Sequence, residues 1–120
     1  MHIGIIGLGK MGNNMRARVR THGLTVTGYD PNPTVSDVAS LEELALALPA
    51  PRVVWVMVPS GKITADVIYA LADALSPGDL VIDGGNSRYT DAAARGQFLA
   101  TKKIGFLDVG VSGGIWGLEN

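Results

Sequence analysis

The strongest constraint on the fold is a glycine-rich turn between a strand and a helix at the start of the chain. Residues 2–7 are a short β-branched run, and residues 11–22 carry apolar side chains at helical spacing. Between them, Gly7-Leu8-Gly9-Lys10-Met11-Gly12 has glycines at its first, third and sixth positions. This order predicts a strand that turns sharply into a helix, whose first turn leaves main-chain N–H groups available to an anion.

The rest of the chain continues the alternation of strand and helix. Ser40 and Glu43 have the spacing of a capping box that opens a helix. Residues 52–58 (RVVWVMV) are predicted to be a strand, and the continuous apolar run after Arg52 is typical of a strand buried on both faces. The alternation predicts a doubly wound, Rossmann-type parallel sheet with helices on both faces, in a single α/β domain. The further predicted strands are 24–30, 79–83 and 105–109, and the further helices are 41–48, 61–75 and 87–103.

One connection is too short for this pattern. Only nine residues separate Asp30 from Ser40, whereas a parallel crossover normally takes about a dozen or more. We expect one helical turn near residues 33–35 and at most a minimal strand near residues 37–39. If that strand forms, the expected strand order is 3-2-1-4-5-6, with residues 52–58 beside residues 2–7 at the switch point.

Composition narrows the classes of function. The chain has 120 residues, 47% of them hydrophobic, with a net charge of -1 and no cysteine. One core is expected, and no broad positive field is available for nucleic acid or an anionic membrane. Disulfides and cysteine ligands are excluded, and no His, Asp or Glu cluster has metal-ligand spacing. No apolar run could span a bilayer and no signal peptide precedes the first strand, so a cytoplasmic protein is expected.

The glycine turn predicts a dinucleotide site. Gly7 would permit the tight turn, Gly9 would let a pyrophosphate approach the main chain, and Gly12 would let the helix pack closely on the strand. A purely structural turn between strand and helix is the alternative. The motif gains weight from its position, because it directly follows a strand and opens a helix.

Asp30 lies eighteen residues after Gly12, at the end of the second predicted strand. An acidic side chain about 20 residues along binds the ribose hydroxyls in dinucleotide folds. An ionised Asp30 would repel a 2′-phosphate, and Pro31-Asn32-Pro33 offers no cation, so NAD is favoured over NADP. The alternative is that Asp30 only caps the turn before Pro31.

Three more turns are predicted at the same edge of the sheet, at residues 59–61, 84–87 and 110–114. Asn86 carries donors and an acceptor that suit a cofactor and a hydroxylated substrate. Ser112, Gly113 and Gly114 offer a hydroxyl and main-chain N–H groups to a carboxylate or phosphate. The alternatives are a tight turn with Ser87 as the N-cap and a flexible loop.

Three segments resemble the amino-terminal coenzyme domain of the decarboxylating 6-phosphogluconate dehydrogenases. They are residues 7–15 (GLGKMGNNM), residues 83–87 (DGGNS) and residues 108–120 (DVGVSGGIWGLEN). The Ser-Gly-Gly core is shared with the wider β-hydroxyacid dehydrogenases, whereas the Trp-Gly-Leu-Glu-Asn continuation is similar to the phosphogluconate branch. The resemblance covers essentially all of this chain and only part of the family's enzyme.

The resemblance implies a role for each matching position. Asp30 would hold the adenosine ribose, and Asn86 would touch both cofactor and substrate. Cofactor contacts are implied at Gly7, Leu8, Gly9, Lys10, Met11, Gly12, Val58, Pro59 and Ser60, and sugar-acid contacts at Ser112, Gly113 and Gly114.

The implied reaction oxidises 6-phosphogluconate by hydride transfer to the nicotinamide and then releases CO₂, giving ribulose 5-phosphate. Many family members have Asn-Arg after the second strand, which suits NADP, and here Tyr29-Asp30-Pro31 stands at that place. The family's catalytic lysine, its acid glutamate, its His-Asn pair and its helical substrate and dimerisation domain lie beyond the matched segment. We therefore expect cofactor binding without turnover by this chain, and a homo-oligomer for the complete enzyme. A hydroxyisobutyrate-type dehydrogenase domain and a stand-alone dinucleotide-sensing module are the alternatives.

Overall fold

Strands and helices alternate along the chain. The computed structural model describes residues 2–57, 62–84 and 89–108. Each predicted element forms within these residues, with its ends shifted by a few residues at most, except the minimal strand near residues 37–39. The strands are β1 (His2–Ile6), β2 (Thr25–Tyr29), β3 (Val53–Val56), β4 (Leu80–Asp83) and β5 (Gly105–Asp108). The helices are α1 (Lys10–Thr21), α2 (Leu41–Ala47), α3 (Lys62–Ala74) and α4 (Tyr89–Thr101).

The five strands form one parallel sheet in the order β2-β1-β3-β4-β5. At the centre, Ile5 of β1 pairs with Gly28 of β2 on one side and with Trp55 of β3 on the other. The chain therefore leaves β1 in one direction and later returns to its other side. This is the switch point of a doubly wound sheet, where ligands bind beyond the carboxyl ends of the strands.

Helices cover both faces, as predicted. On one face, Met15 of α1 packs against Ile3 and Ile5 of β1 and against Val26 of β2. On the other face, the core is formed by residues of α2, α3, α4 and the strands. Its fully buried members include Leu44, Val54, Val56, Ile68, Leu71, Val81 and Leu99. The doubly wound α/β fold is confirmed, and no described helix has the length and apolar character to cross a membrane.

β3 departs from the prediction of burial on both faces. Val54 and Val56 are fully buried, but Val53 and Trp55 are only partly buried. Right-handed crossovers place α2, α3 and α4 on one face of the sheet and leave α1 alone on the other within the described residues. The α1 face of β3 is therefore less covered, and Trp55 Nε1 is buried without a hydrogen-bond partner in the described part of the chain.

The expected turn forms at residues 33–35, but no strand forms at residues 37–39. Val35 N and Ser36 N both donate to Asn32 O, at 3.2 and 3.3 Å. Asp37 then binds the outer edge of β2, donating its N–H to Gly28 O at 2.8 Å and accepting the Gly28 N–H on Oδ2 at 2.8 Å. Asp37 thus satisfies both outward main-chain groups of Gly28. The conditional strand order 3-2-1-4-5-6 is not formed among the described residues.

The predicted capping box at α2 is present in a modified form. Ser40 Oγ accepts the Glu43 N–H at 3.1 Å, as the motif requires. In return, Glu43 Oε2 accepts the N–H of Ala39, one residue before the cap, at 2.8 Å. The side chains of Ser40 and Glu43 thus fix where α2 begins, immediately after the short connection from β2.

Candidate functional site

Main-chain hydrogen bonds connect the carboxyl ends of the first four strands. Gly7 N donates to Tyr29 O at 2.9 Å, which joins the end of β1 to the end of β2. Met57 N donates to Ile6 O at 2.7 Å, and Gly84 N donates to Val56 O at 2.9 Å. These bonds continue the ladders one residue past the strands. They hold the carboxyl ends of β1, β2, β3 and β4 side by side at one edge of the sheet.

Two glycines of the first turn are required by the fold itself. Gly7 has φ 92°, a left-handed conformation that side chains with a Cβ rarely adopt. A Cβ on Gly12 would lie 1.8 Å from Gly7 O. The helix α1 can approach the end of β1 this closely only because both positions lack a side chain.

Gly9 differs from both. Its φ of -68° is open to any residue, and a Cβ on it would meet nothing within 4 Å in the described part of the protein. Gly9 is the N-cap of α1, supplies no capping side chain, and is followed by a first turn without acidic residues. The space above Gly9 and the helix N-terminus can therefore accept an anion such as a pyrophosphate. Lys10 and Met11 begin α1, and their side chains lie outside the description.

Asp30 connects the glycine turn to the loop after β2. Its Oδ2 accepts the Leu8 N–H at 2.8 Å, and its Oδ1 accepts the Asn32 N–H at 2.9 Å. The second bond is the turn-capping role that the sequence offered as an alternative. It does not use up the carboxylate, because each oxygen has two acceptor positions and each of these bonds takes one. Asp30 can cap its turn and still accept two hydroxyls.

A charged cluster, formed by Arg16, Arg20 and Asp37, lies beside this loop. Asp37 Oδ2 is 3.2 Å from Arg16 Nη1 and 3.0 Å from Arg20 Nη2. Burial alone raises the pKa of the Asp37 carboxyl, but the Gly28 N–H and the two guanidinium groups outweigh it, so the pKa lies below its ordinary value. Sequence reasoning missed this cluster, because the i, i+4 spacing places Arg16 and Arg20 on one face of α1 but does not identify Asp37 as their partner.

Met57 is a second residue that the sequence analysis missed. A Cβ on Gly12 would be 3.6 Å from Met57 Cβ, and a Cβ on Gly84 would be 2.6 Å from Met57 Sδ. Trp55 Nε1 would be 2.5 Å from that same Gly84 Cβ. The Met57 side chain thus lies beside Gly12 of the first glycine turn and beside Gly84, directly after β4. The absence of a side chain at Gly84 is explained by packing alone.

The other predicted site residues lie outside the described part of the chain. They are Val58, Pro59 and Ser60 after β3, Asn86 after β4, and Ser112, Gly113 and Gly114 after β5. Among the described residues, no group of three or more His, Asp or Glu could hold a metal ion. The structure therefore brings together the glycine turn and Asp30, at one edge of the sheet.

The family whose sequence pattern matches residues 2–120 is described as the NAD binding domain of 6-phosphogluconate dehydrogenase. The chain belongs to this family. It is 41% identical to a decarboxylating 6-phosphogluconate dehydrogenase of Haemophilus influenzae, over 93% of this chain. It is 37% identical, over the same share, to an NAD(+)-dependent decarboxylating 6-phosphogluconate dehydrogenase of Bacillus subtilis.

The chain is also similar to a solved dehydrogenase structure. Mycobacterium tuberculosis 3-hydroxyisobutyrate dehydrogenase, solved with L-serine, superimposes with a TM-score of 0.79 at 29% identity. The match covers 93% of this chain and 42% of that one. The chain spans only about a quarter of the length of these two curated relatives, 26% of the Haemophilus influenzae protein and 27% of the NAD(+)-dependent Bacillus subtilis protein.

Proposed function

We propose that this chain is the coenzyme domain of an oxidoreductase that transfers a hydride from 6-phosphogluconate to NAD, with loss of CO₂ to give ribulose 5-phosphate. The contrast within the glycine turn carries the first part of this proposal. The fold requires glycine at Gly7 and Gly12. At Gly9, no described atom lies within 4 Å of the Cβ position, and a bound pyrophosphate would need that space. The nicotinamide of the bound dinucleotide would supply the hydride acceptor.

The choice of NAD rests on Asp30. Its two remaining acceptor positions suit the two ribose hydroxyls, and its negative charge opposes a 2′-phosphate at the same place. The Bacillus subtilis relative is named as an NAD(+)-dependent enzyme, which agrees with this choice. We assign Gly7, Leu8, Gly9, Gly12 and Asp30 to the dinucleotide.

The remaining assignments extend the site along the edge of the sheet. Lys10 and Met11 would contribute main-chain N–H groups of the first helical turn to the pyrophosphate. Val58, Pro59 and Ser60 would flank the cofactor, and Asn86 would contact both cofactor and substrate. Ser112, Gly113 and Gly114 would hold the sugar acid.

The substrate is proposed from the curated relatives, which are 37 to 41% identical and named 6-phosphogluconate dehydrogenases. The hydroxyisobutyrate dehydrogenase of the solved structure is less similar, at 29%. Oxidation of a secondary alcohol needs a base within about 3 Å of its proton. The family's lysine and glutamate lie beyond the matched segment, so we expect the 120-residue chain to bind NAD without turning over substrate.

The test of cofactor binding is calorimetric titration of the chain with NAD and with NADP, supported by thermal unfolding. NAD should bind and raise the midpoint of unfolding, and Asp30→Ala should weaken NAD and reduce the discrimination. NADP binding tenfold tighter than NAD, a difference of about 1.4 kcal/mol, would contradict the role of Asp30. A chain that binds neither would refute the dinucleotide site.

The test of substrate is a chimera of residues 1–120 with the remaining part of the Haemophilus relative. Its turnover should require 6-phosphogluconate, and 3-hydroxyisobutyrate should not replace it. Turnover of 3-hydroxyisobutyrate alone would assign the chain to the other branch. A chimera that folds and binds NAD but oxidises neither compound would favour a dinucleotide-sensing module.

A further inference from the structure

Arg16 and Arg20 lie one turn apart on α1 and converge on one carboxylate oxygen, Asp37 Oδ2. Each arginine also binds a main-chain oxygen near the outer edge of β2. Arg16 Nη1 donates to Val35 O at 2.9 Å, and Arg20 Nη2 donates to Val26 O at 2.8 Å. The two guanidinium groups are therefore held along this edge, with Asp37 between them.

This cluster is connected to the proposed ribose site through a single loop. Asp30 is at one end of the loop and Asp37 at the other. Ser36, next to Asp37, accepts the Asp30 N–H on its Oγ at 3.0 Å. Arg16 Nη1 donates to Val35 O of the same loop. A ligand group bound beside Asp30 therefore lies along the same edge as the two arginines, of which Arg16 is bonded to Val35 of this loop and Arg20 to Val26, four residues before Asp30.

The formal charges of the two arginines and the two aspartates on this edge cancel. Arg16 and Arg20 carry two positive charges, and Asp30 and Asp37 carry two negative charges. A phosphate monoester adds a charge of about -1.5 to -2 at neutral pH, so the 2′-phosphate of NADP would meet no net attraction from the four groups. The Arg20 side chain is 46% exposed and could reorient if its carboxylate were removed, whereas the Arg16 side chain is 12% exposed and also donates to Val35 O and Asn13 Oδ1, so it would act from its present position.

We propose that Asp37 is a specificity-determining residue, whose carboxylate pairs with both Arg16 and Arg20, offsets one of their two positive charges and so withholds them from the 2′-phosphate of NADP. This inference rests on the proposed dinucleotide function. It assigns NAD selectivity to two carboxylates with different tasks. Asp30 binds the ribose hydroxyls directly, and Asp37 acts through the arginines without touching the cofactor.

The experiment measures the ratio of the NADP and NAD dissociation constants for the wild-type chain and Asp37→Asn at low salt. The variant leaves one net positive charge beside the ribose, so NADP should gain on NAD by about fivefold or more, and the gain should shrink as salt rises. Loss of the cap on β2 could also reduce the folded fraction. That loss scales both apparent affinities equally and leaves their ratio unchanged, so the ratio separates selectivity from a structural role.

Three further variants complete the test. Asp37→Asn combined with Arg20→Met restores the wild-type net charge of the four groups and should return the ratio to the wild-type value. Arg20→Met alone should move the ratio the opposite way, and it serves as the primary test if Asp37→Asn does not fold. The matched control is Asp73→Asn, which removes the same charge from an exposed pair with Lys102 and should leave the ratio unchanged.

The outcomes distinguish this inference from the function on which it rests. A wild-type chain that binds neither dinucleotide refutes both. A wild-type chain that prefers NAD, together with folded Asp37→Asn and Arg20→Met variants whose ratios stay within about twofold of wild type, overturns only the role of Asp37.

Discussion

Asp37 binds Gly28 twice, through its main-chain N–H to Gly28 O and through its carboxylate to the Gly28 N–H, both at 2.8 Å. Gly28 lies on the outermost strand, where unpaired main-chain groups would otherwise face outward. The outward Val26 O is satisfied by Arg20, and the outward Asp30 N by Ser36 Oγ. Side chains thus replace a neighbouring strand along this edge. The same side chains position the loop that carries Asp30.

Acid should remove the stabilisation that the Asp37 carboxylate gives to this edge. Because the pKa of Asp37 is lowered in the folded chain, the unfolded chain takes up the proton first as the pH falls. The stabilisation is fully present above the ordinary carboxyl pKa of about 3.9 and is lost as the pH falls through the lower folded value. Urea unfolding from pH 7 to pH 3 should therefore show the free-energy difference between wild type and Asp37→Asn shrinking below about pH 4. A difference that stays constant or grows in acid would contradict this role.

Substitution by alanine should lower the stability of the chain at Gly12 and its affinity for NAD at Gly9. Gly12→Ala places a Cβ against Gly7 O, so it should cost about 2 kcal/mol or more of unfolding free energy. Gly9→Ala meets no protein atom within 4 Å in the described structure, and the change of N-cap residue should cost at most about 1 kcal/mol. NAD affinity should nevertheless fall about tenfold or more, since the Cβ occupies the space proposed for the pyrophosphate. Chemical denaturation and calorimetry measure the two effects separately, and unchanged affinity in Gly9→Ala would remove the pyrophosphate from this turn.

Much of this architecture follows from local sequence signals. The glycine turn, the β-branched runs and the Ser40–Glu43 cap predict the order of strands and helices and the direction of the sheet, because each depends on neighbouring residues. The closure of the edge at β2 could not be predicted in the same way. It depends on the contacts of Arg16 and Arg20 with Asp37, which lies 21 and 17 residues further along the chain. These side chains converge only after α1 and β2 have packed.

The burial of β3 shows a similar limit. Its apolar run is what a strand covered on both faces would have, yet Trp55 is partly exposed because the covering of its face depends on where the helices cross. At the site, Gly7, Gly12 and Asp30 were identified from motif and spacing. Met57 was not, because its contacts with Gly12 and Gly84 arise from the register between β1, β3 and β4.

Asp79 should matter for stability and not for binding. It is 2% exposed, and its Oδ1 accepts the Arg52 N–H while its Oδ2 accepts the Ser76 N–H, both at 2.7 Å. These bonds join the amino-terminal ends of β3 and β4, at the opposite edge from the glycine turn. Asp79→Ala should cost about 3 kcal/mol or more, because Arg52 and two main-chain donors lose their acceptor. NAD affinity, measured at a temperature where the variant is folded, should match wild type. A selective loss of affinity would show that the two edges of the sheet are coupled.

Arg95 of α4 and Asp83, the last residue of β4, form a buried ion pair. Their atoms Nη1 and Oδ2 are 3.5 Å apart, and the residues are 4% and 0% exposed. Arg95→Met would leave the Asp83 carboxylate without this cation and should cost about 3 to 5 kcal/mol. Adding Asp83→Asn should recover part of the loss, because the buried negative charge is then removed as well. Urea unfolding of the four proteins in a double-mutant cycle should give a coupling energy of about 1 kcal/mol or more. Additive effects would show that the two side chains contribute independently.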